Sequence, residues 1–314
     1  MPFVQGESLS QLLKDRSVEG RPVLNPQISD RSLKRAYREM AAIVLELSKL
    51  EFDTMGALEE HEGKFGTSKR TLTFNMNELM VSANIPDKVF PSKPFQSAKG
   101  SEEDCRKKFL ARFLFLNVIR DVFAEHSQGS FRLYCDDLRP SNVLVSLSDL
   151  RVSAVIDWEF TYAAPAEFTY VAPWWLLLQS PEDWEADLNE FLTRYNPKLR
   201  VFLEALEERE NTLIEQNILS ESQRLSLRMR QSVENGLFWI CLAARYSSMF
   251  DEIYWTFVEQ QYYGTFTSSE HRMQQLSDEQ QRELHEAVEA KMQQSTGSEE
   301  DFHDHYPIDE LLEL

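Results

Sequence analysis

The stretch Leu133-Tyr-Cys-Asp-Asp-Leu-Arg-Pro-Ser-Asn-Val-Leu-Val145 constrains this chain more than any other. An apolar run leads in, a polar loop comes next, and a second apolar run leads out. Runs this short, bounded by turn residues, read as strands. Another such run, Val152 to Ile156, ends on an acid inside Ala154-Val-Ile-Asp-Trp-Glu159. The polar turn between Val143–Val145 and Val152–Ile156 suggests a hairpin-like pair. Asp137, Asn142 and Asp157 then sit at strand ends, where a rigid scaffold brings loop side chains together. Two carboxylates and an amide so placed suit phosphoryl transfer. An Asn amide oxygen and an Asp carboxylate are the hard oxygen ligands that Mg²⁺ needs. A further carboxylate accepts or orients the proton of an incoming hydroxyl. The remaining catalysis is positioning and charge neutralisation.

The rest of the chain supplies mostly helices, which makes the expected fold class α+β, mostly α. Phe3-Val4 reads as the end of a strand, and Ser8 as the N-cap of a short helix with Leu9, Leu12 and Leu13 on one face. Gly20, Pro22 and Pro26 mark residues 16 to 28 as loop. Ser29 or Asp30 caps a long helix to about Leu50, with Leu33, Tyr37, Met40, Ile43, Val44 and Leu47 at helical spacing. Residues 53 to 100 are irregular, with strand-like pieces around Gly56 and Gly63–Gly66 and a basic hairpin, Lys64 to Arg70, ahead of a Leu72–Phe74 strand. A second long helix runs from about Glu102 to Glu125, and Phe131–Tyr134 is a short strand. After Pro173 the expected helices cover about 183 to 209, 220 to 246, 249 to 260 and 276 to 292. The tail from Gly297 carries seven acids and no Lys or Arg, so it reads as flexible.

Charge excludes some partners. The 314 residues carry 52 acids against 33 bases, a net charge of -19. That average repels a nucleic-acid backbone and an anionic membrane surface. An ATP site here needs a local cation or metal to overcome the global field. Cys105, Cys135 and Cys241 form no CxxC pair, which suits a reducing compartment. The N-terminus lacks the pattern of a signal peptide, and the apolar runs are too short to span a bilayer. The expected location is cytoplasmic.

Asp137 and Asn142 have the five-residue offset of the catalytic loop H-x-D-x-x-x-x-N, and Asp157 in Ile-Asp-Trp-Glu stands where a later strand ends in a metal-binding Asp. In these paired motifs the chain resembles the aminoglycoside phosphotransferase/choline kinase family of the protein-kinase-like fold, most closely its fungal members, over residues 1 to about 265. The resemblance implies the C-terminal lobe of that fold, with a small β element carrying the catalytic loop. It implies three segments: a phosphotransferase-family lobe over 1–265, a helical extension over 266–296 and the acidic tail over 297–314. Asp137 would be the catalytic base, with Asn142 and Asp157 as Mg²⁺ ligands at the nucleotide. Arg139 stands where protein kinases often carry a Lys that touches the γ-phosphate, and a guanidinium binds phosphate well. The implied cofactors are Mg²⁺ and ATP, and the implied reaction is ATP-dependent phosphorylation of a hydroxyl on a small molecule. Family members receive cationic substrates on acidic surfaces, for which Glu159, Glu167 and the Asp183-Glu185-Asp187 helix start are the candidates.

The chain departs from the pattern in two places. Cys135 replaces the motif's His, and Asp136 stands in place of a neighbouring Gly. Asp136 reads as a loop cap whose like charge raises a neighbour's pKa. Asp136 and Asp137 also oppose a thiolate, so Cys135 is not expected to be a nucleophile. Met1 to Leu13 resembles the hinge segment after the last strand of the N-terminal lobe. No G-x-G-x-x-G occurs, and Gly63-Lys-Phe-Gly66 is too short to be a nucleotide loop. The expectation is a missing N-terminal lobe and little phosphotransferase activity from this chain alone. Three readings stay open: an active phosphotransferase, a pseudoenzyme or interaction module that binds a protein partner, and an incomplete chain. Trp158, Trp174 and Trp175 are expected in the core, and His303 and His305 are not expected to bind metal.

Overall fold

The apolar run 131–135 becomes a central strand because both of its edges are taken. In the computed structural model, which describes residues 4–61, 63–69, 102–123, 131–180, 183, 188–246 and 249–296, the strands form two antiparallel sheets. Their ranges are β1 (Glu7–Ser8), β2 (Glu51–Phe52), β3 (Gly56–His61), β4 (Lys64–Lys69), β5 (Phe131–Cys135), β6 (Val143–Val145), β7 (Val152–Val155) and β8 (Thr161–Pro165). One sheet has the order β1-β6-β7, and the other β2-β5-β8-β3-β4. The chain between β5 and β6 therefore leaves one sheet and enters the other, and that crossing is the signature loop. The β content exceeds the expected small element, and β2 and β8 are strands that sequence periodicity did not disclose.

The helices are α1 (Leu9–Leu13), α2 (Asp30–Ser48), α3 (Glu102–Phe123), α4 (Leu188–Glu215), α5 (Ser226–Glu234), α6 (Leu237–Arg245), α7 (Phe250–Ile253), α8 (Glu259–Tyr263), α9 (Ser269–Met273) and α10 (Asp278–Thr296). Among the described residues no helix is long and apolar enough to cross a membrane. These residues fall into two compact units, one drawn from Met1–Asp87 and Phe123–Ile253, the other from Lys88–Val122 and Tyr254–Leu314.

In the first unit, α2 starts where the Ser29 hydroxyl accepts from the Ser32 N–H at 3.2 Å, satisfying one of the donors a helix N-terminus leaves open. Its buried stripe is Leu33, Ala36, Tyr37, Met40, Ala41 and Leu45. This face packs along α4, where the Tyr37 ring stands edge-on to Phe202 at 5.7 Å and to Trp175 at 6.2 Å. Buried hydroxyls need partners, and two on this face find backbone carbonyls: Tyr37 donates to Leu176 and Tyr195 to Pro173, each at 2.7 Å.

The helix expected over 220–246 is two helices. Gly236 takes a left-handed φ of 83° between α5 and α6, a conformation without penalty for glycine, and the preceding Asn235 accepts from the Leu237 N–H at 3.1 Å. The start of α5 is set from a distance. Glu210, fully buried on α4, accepts from the Leu225 and Ser226 N–H groups at 2.6 and 3.0 Å. The helix expected over about 183 to 209 is described as Leu188–Glu215, with residues 184–187 outside the described residues. Val4 lies outside any strand, and the first pairing falls on Glu7–Ser8 instead. Phe3, the Leu72–Phe74 strand and the acidic tail lie outside the described residues.

The second unit joins a mid-chain helix to the C-terminal ones. The α3 stripe of Leu110, Ala111, Leu114, Phe115 and Val118 is buried. Phe115 stands edge-on to Tyr254 at 6.2 Å, and the Tyr263 hydroxyl donates to the Leu114 carbonyl at 2.8 Å. Tyr254–Val258 forms a π-helical turn. Arg272 and Glu259, 1% and 2% exposed, form an ion pair inside this unit, and Arg272 also donates to the Gly264 carbonyl at 2.6 Å. A buried pair offsets its desolvation only while both partners are present. Arg272→Ala is therefore expected to lower unfolding free energy by about 3–5 kcal/mol, read from the urea midpoint. Replacing both residues with leucine is expected to recover most of that loss.

Candidate active site

Two strand pairings put the polar residues together. Val143 pairs with Val155, and the Ile156 N–H donates to the Asn142 carbonyl at 2.9 Å. Asn142 and Asp157 therefore stand at neighbouring ends of one hairpin. Between β5 and β6 the chain turns at Cys135–Leu138, where the Leu138 N–H donates to the Cys135 carbonyl at 3.3 Å, and again in the 3-10 turn Pro140–Asn142. Strand β1 holds it, as the Ser8 hydroxyl lies 3.3 and 3.1 Å from the Pro140 and Ser141 carbonyls. At the far end of β7, Asp157 adopts a φ of 59°, a left-handed conformation that costs an L-residue about a kcal/mol or more.

Asn142 clamps Asp137. Its Nδ2 donates to the Asp137 carboxylate at 2.8 Å and to the Asp137 carbonyl at 2.9 Å. Both neighbours are acceptors, so the amide nitrogen must face them and Oδ1 faces away. The other carboxylate oxygen of Asp137 lies 3.0 Å from Arg139 Nε, a charge contact in which the N–H is not aimed at the oxygen. Burial raises the Asp137 carboxyl above its ordinary value of 3.8. Arg139 and the Asn142 hydrogen bond pull it back, Asp157 pushes it up, and Arg245 pulls it down. The net result is upward, in the direction a general base requires.

Asp136 caps the loop, but through side chains rather than as a solvated turn residue. It is 4% exposed. Arg245 reaches it from α6, with Nε 3.1 Å from its carboxylate and a terminal nitrogen 2.5 Å from its carbonyl. The other terminal nitrogen donates to the Tyr134 hydroxyl at 2.8 Å. Tyr162 on β8 donates to the same carboxylate at 3.4 Å. Sequence reasoning missed Arg245. The available signal was a single cation ending the apolar run Leu237-Phe-Trp-Ile-Cys-Leu-Ala-Ala-Arg245, since a charge at the end of a buried face implies a buried partner.

The loop forms one wall of a cleft of about 520 Å³ whose lining includes Ser10, Arg21, Asp136, Asp137, Arg139 and Asp183. Trp174 and Trp175 close it on another side, and both are buried as expected. Trp158 is not core. It is 41% exposed, with its indole N–H donating to the Val155 carbonyl at 2.9 Å. The left-handed turn at Asp157 throws it outward. Of the acids suggested for a cationic substrate, Glu159 is exposed and Glu167 is buried at 5% exposure, while Asp183 accepts from Ser180 and pairs with Arg21 at 2.9 Å. Glu185 and Asp187 lie outside the described residues, as do His303 and His305. Cys135 is buried, and burial pushes its thiol up.

Asp157 is exposed and lies close enough to act electrically on Asp137. Among the described residues, no three or more of His, Cys, Asp and Glu are grouped to hold a metal. Mg²⁺ asks less of a protein, taking one or two protein oxygens and completing its shell with water and phosphate. Asn142 Oδ1, which accepts from the Ser141 hydroxyl at 3.3 Å, and the exposed Asp157 carboxylate are hard donors of that kind.

The pH response of this site has a definite sign. An acid whose folded pKa is raised gives its full stability below the unfolded value and loses it as pH rises through the folded value. Asp137→Asn is therefore expected to raise the melting temperature at neutral pH, and the gain should vanish as pH falls below about 4. A melting series across pH reads it, and a variant less stable at every pH would refute the assignment. Arg245→Met strands the buried Asp136 carboxylate and is expected to cost about 3–5 kcal/mol, with Asp136→Asn in the same chain restoring part of it. No family profile matches the chain, and no curated protein or solved structure shows significant similarity to it.

Proposed function

We propose that this chain is the C-terminal lobe of a protein-kinase-like fold, of the aminoglycoside phosphotransferase/choline kinase family, and transfers a phosphoryl group from ATP to a hydroxyl of a small molecule. The observation that carries this reading is the clamp of Asn142 on Asp137 in a cleft wall, with Asp157 at the adjoining strand end. It fits both halves of the paired motif on which the resemblance rests.

Asp137 takes the proton of the incoming hydroxyl as the new oxygen–phosphorus bond forms. Its raised pKa makes it a better proton acceptor at neutral pH than an exposed carboxylate. Asn142 fixes the rotamer of that carboxylate, so the accepting oxygen has one position. Asn142 Oδ1 and Asp157 would hold Mg²⁺, which would neutralise charge on the phosphates of ATP; the γ-phosphoryl group would come from ATP, with its bond to the β-phosphate breaking and ADP leaving. Arg139 is the cation nearest the base and faces the cleft. Arg245 removes the charge of Asp136 from the site by pairing with it. The substrate enters the same cleft, a small molecule held between the loop and the Trp174–Trp175 wall.

A second reading, a non-catalytic binding module, is favoured by one feature. Both Asp137 oxygens are engaged, one by Arg139 and one by Asn142. Catalysis requires the Arg139 contact to open. Thermal shift and turnover separate the two readings. The phosphotransferase reading expects stabilisation by millimolar Mg·ATP that Asp157→Ala abolishes. It expects what little ATP turnover this chain gives alone, over a panel of hydroxylated small molecules, to be lost in Asp137→Asn. A wild type that millimolar Mg·ATP does not stabilise favours the binding module.

A further inference from the structure

The cleft wall balances its own charge. Its described acids are Asp136, Asp137 and Asp183, and each stands against one arginine, Arg245, Arg139 or Arg21. The carboxylates and guanidiniums cancel, so a ligand of net charge leaves an excess in a partly desolvated wall, where unpaired charge is costly. The pairs differ in firmness. Arg245 is 13% exposed and holds both Asp136 and the Tyr134 hydroxyl. Arg21 is 75% exposed and has, among the described residues, a single charged contact, Nη1 to Asp183 Oδ1 at 2.9 Å. An ion pair that wet contributes little, so opening it costs little. Its two halves differ as well. Asp183 is seated, because its Oδ2 accepts from the Ser180 N–H at 3.2 Å and the Ser180 hydroxyl at 3.1 Å. Arg21 hangs on a loop pinned at its base, where the Asp15 N–H donates to the Val23 carbonyl at 2.7 Å and the Leu24 N–H to the Leu177 carbonyl at 3.0 Å. The backbone thus stays at the rim while the long side chain keeps its rotamer freedom.

We propose that this cleft binds a small zwitterion of the hydroxy amino acid class, with its ammonium on Asp183 and its carboxylate on Arg21. One ligand then replaces one ion pair by two, and the wall stays neutral. A carboxylate matches the planar fork of a guanidinium. An ammonium on Asp183 Oδ1 leaves both Ser180 bonds on Oδ2 intact. A ligand with an ammonium alone sends Arg21 into water and adds a charge to the wall. One with a carboxylate alone strips Asp183 of its cation while that side chain is only 24% exposed. The zwitterion differs from the cationic substrates for which Asp183 was a candidate, because Asp183 comes with its own arginine. The hydroxyl, and only the hydroxyl, rests on the phosphotransferase reading: the same wall holds Asp137, the proposed acceptor of its proton.

Amide signals of the full-length chain give a local test without nucleotide. The ¹⁵N-labelled chain is titrated with L-serine, L-threonine and L-homoserine. The tightest of these is compared with its N-acetyl, carboxamide and doubly blocked forms, which remove one charge or both. The Ser180 N–H, which donates to Asp183, is the reporter, and Gly264 in the other compact unit is the control. The zwitterion is expected to shift the Ser180 signal to saturation while Gly264 stays still. It is expected to bind at least about tenfold more tightly than either singly blocked form, since each block removes a charge-assisted contact. Arg21→Gln is expected to erase the preference for carboxylate over carboxamide and keep that for ammonium over N-acetyl, and Asp183→Asn to do the reverse. A Ser180 signal that no zwitterion saturates, a blocked form that binds as tightly, or folded variants that leave both preferences in place overturns the proposal. Should a variant fail to fold, the wild-type comparison decides alone. A chain that binds the zwitterion but is not stabilised by Mg·ATP keeps this site and favours the binding module. A chain stabilised by Mg·ATP that binds no zwitterion sinks this proposal and leaves the phosphotransferase reading standing.

Discussion

The guanidinium of Arg245 is the fixed point of the candidate site. It spends its nitrogens on the Asp136 carboxylate, the Asp136 carbonyl and the Tyr134 hydroxyl, and so binds helix α6 to the loop between the two sheets. Arginine suits the position because its rigid planar fork engages several acceptors at once and keeps its charge when desolvated. A lysine ammonium offers donors from a single point and loses its charge more readily on burial. With Asp136 held, the next residue has one available direction, and Asp137 turns toward the cleft and the amide of Asn142. The geometry of the proposed base is thus set from α6, about a hundred residues downstream in the chain.

The same arrangement shows how buried acids are handled throughout the structure. Glu210 sits at zero exposure because two backbone N–H groups at the start of α5 and the Ser226 hydroxyl receive its charge. Glu259 is held by Arg272 in the other unit. Each of these carboxylates organises an element boundary, a helix start in one case and the turn around Gly264 in the other. Asp137 differs in kind. Its two contacts leave burial uncompensated, which is why its carboxyl moves upward. Destabilisation of that sort persists at sites where function, not folding, sets the residue.

Legibility in the sequence followed the length scale of the interaction. The strand-loop-strand stretch, the hairpin that brings Asn142 beside Asp157, and α2 with its Ser29 cap were readable, because each depends on neighbours within a few residues. Strand β8 was not. Thr161-Tyr-Ala-Ala-Pro165 has neither a branched apolar run nor clean alternation, and it is a strand only because β5 and β3 pair with it on either side. The break at Gly236 was hidden for a related reason: apolar residues run on through it, and only the left-handed glycine marks the stop. Trp158 was expected in the core on the strength of its size, but the backbone turn at Asp157 decides its direction. Arg245 was invisible as a site neighbour, and Glu167 was expected on an acidic surface but is buried, since nothing local tells a surface charge from a buried one. The union of α3 with the C-terminal helices likewise exists only in tertiary contacts.

Net charge and local charge also part company here. A chain at -19 ought to repel a phosphate, yet the three acids in the cleft wall are each matched by an arginine. Asp136 has Arg245 at 3.1 Å, Asp137 has Arg139 at 3.0 Å, and Asp183 has Arg21 at 2.9 Å. Charges more than about 8 Å away are largely screened at physiological ionic strength, so the cleft responds to these pairs rather than to the whole surface. The more distant acids set the net charge without determining what the cleft accepts. What enters is decided by which of the pairs can open. Arg21 is 75% exposed and its pair with Asp183 is held weakly, whereas Arg245 is 13% exposed and bound on three sides. The rim can exchange partners at small cost while the loop cannot, and that is the division of labour a site needs if it is to admit a ligand without losing its shape.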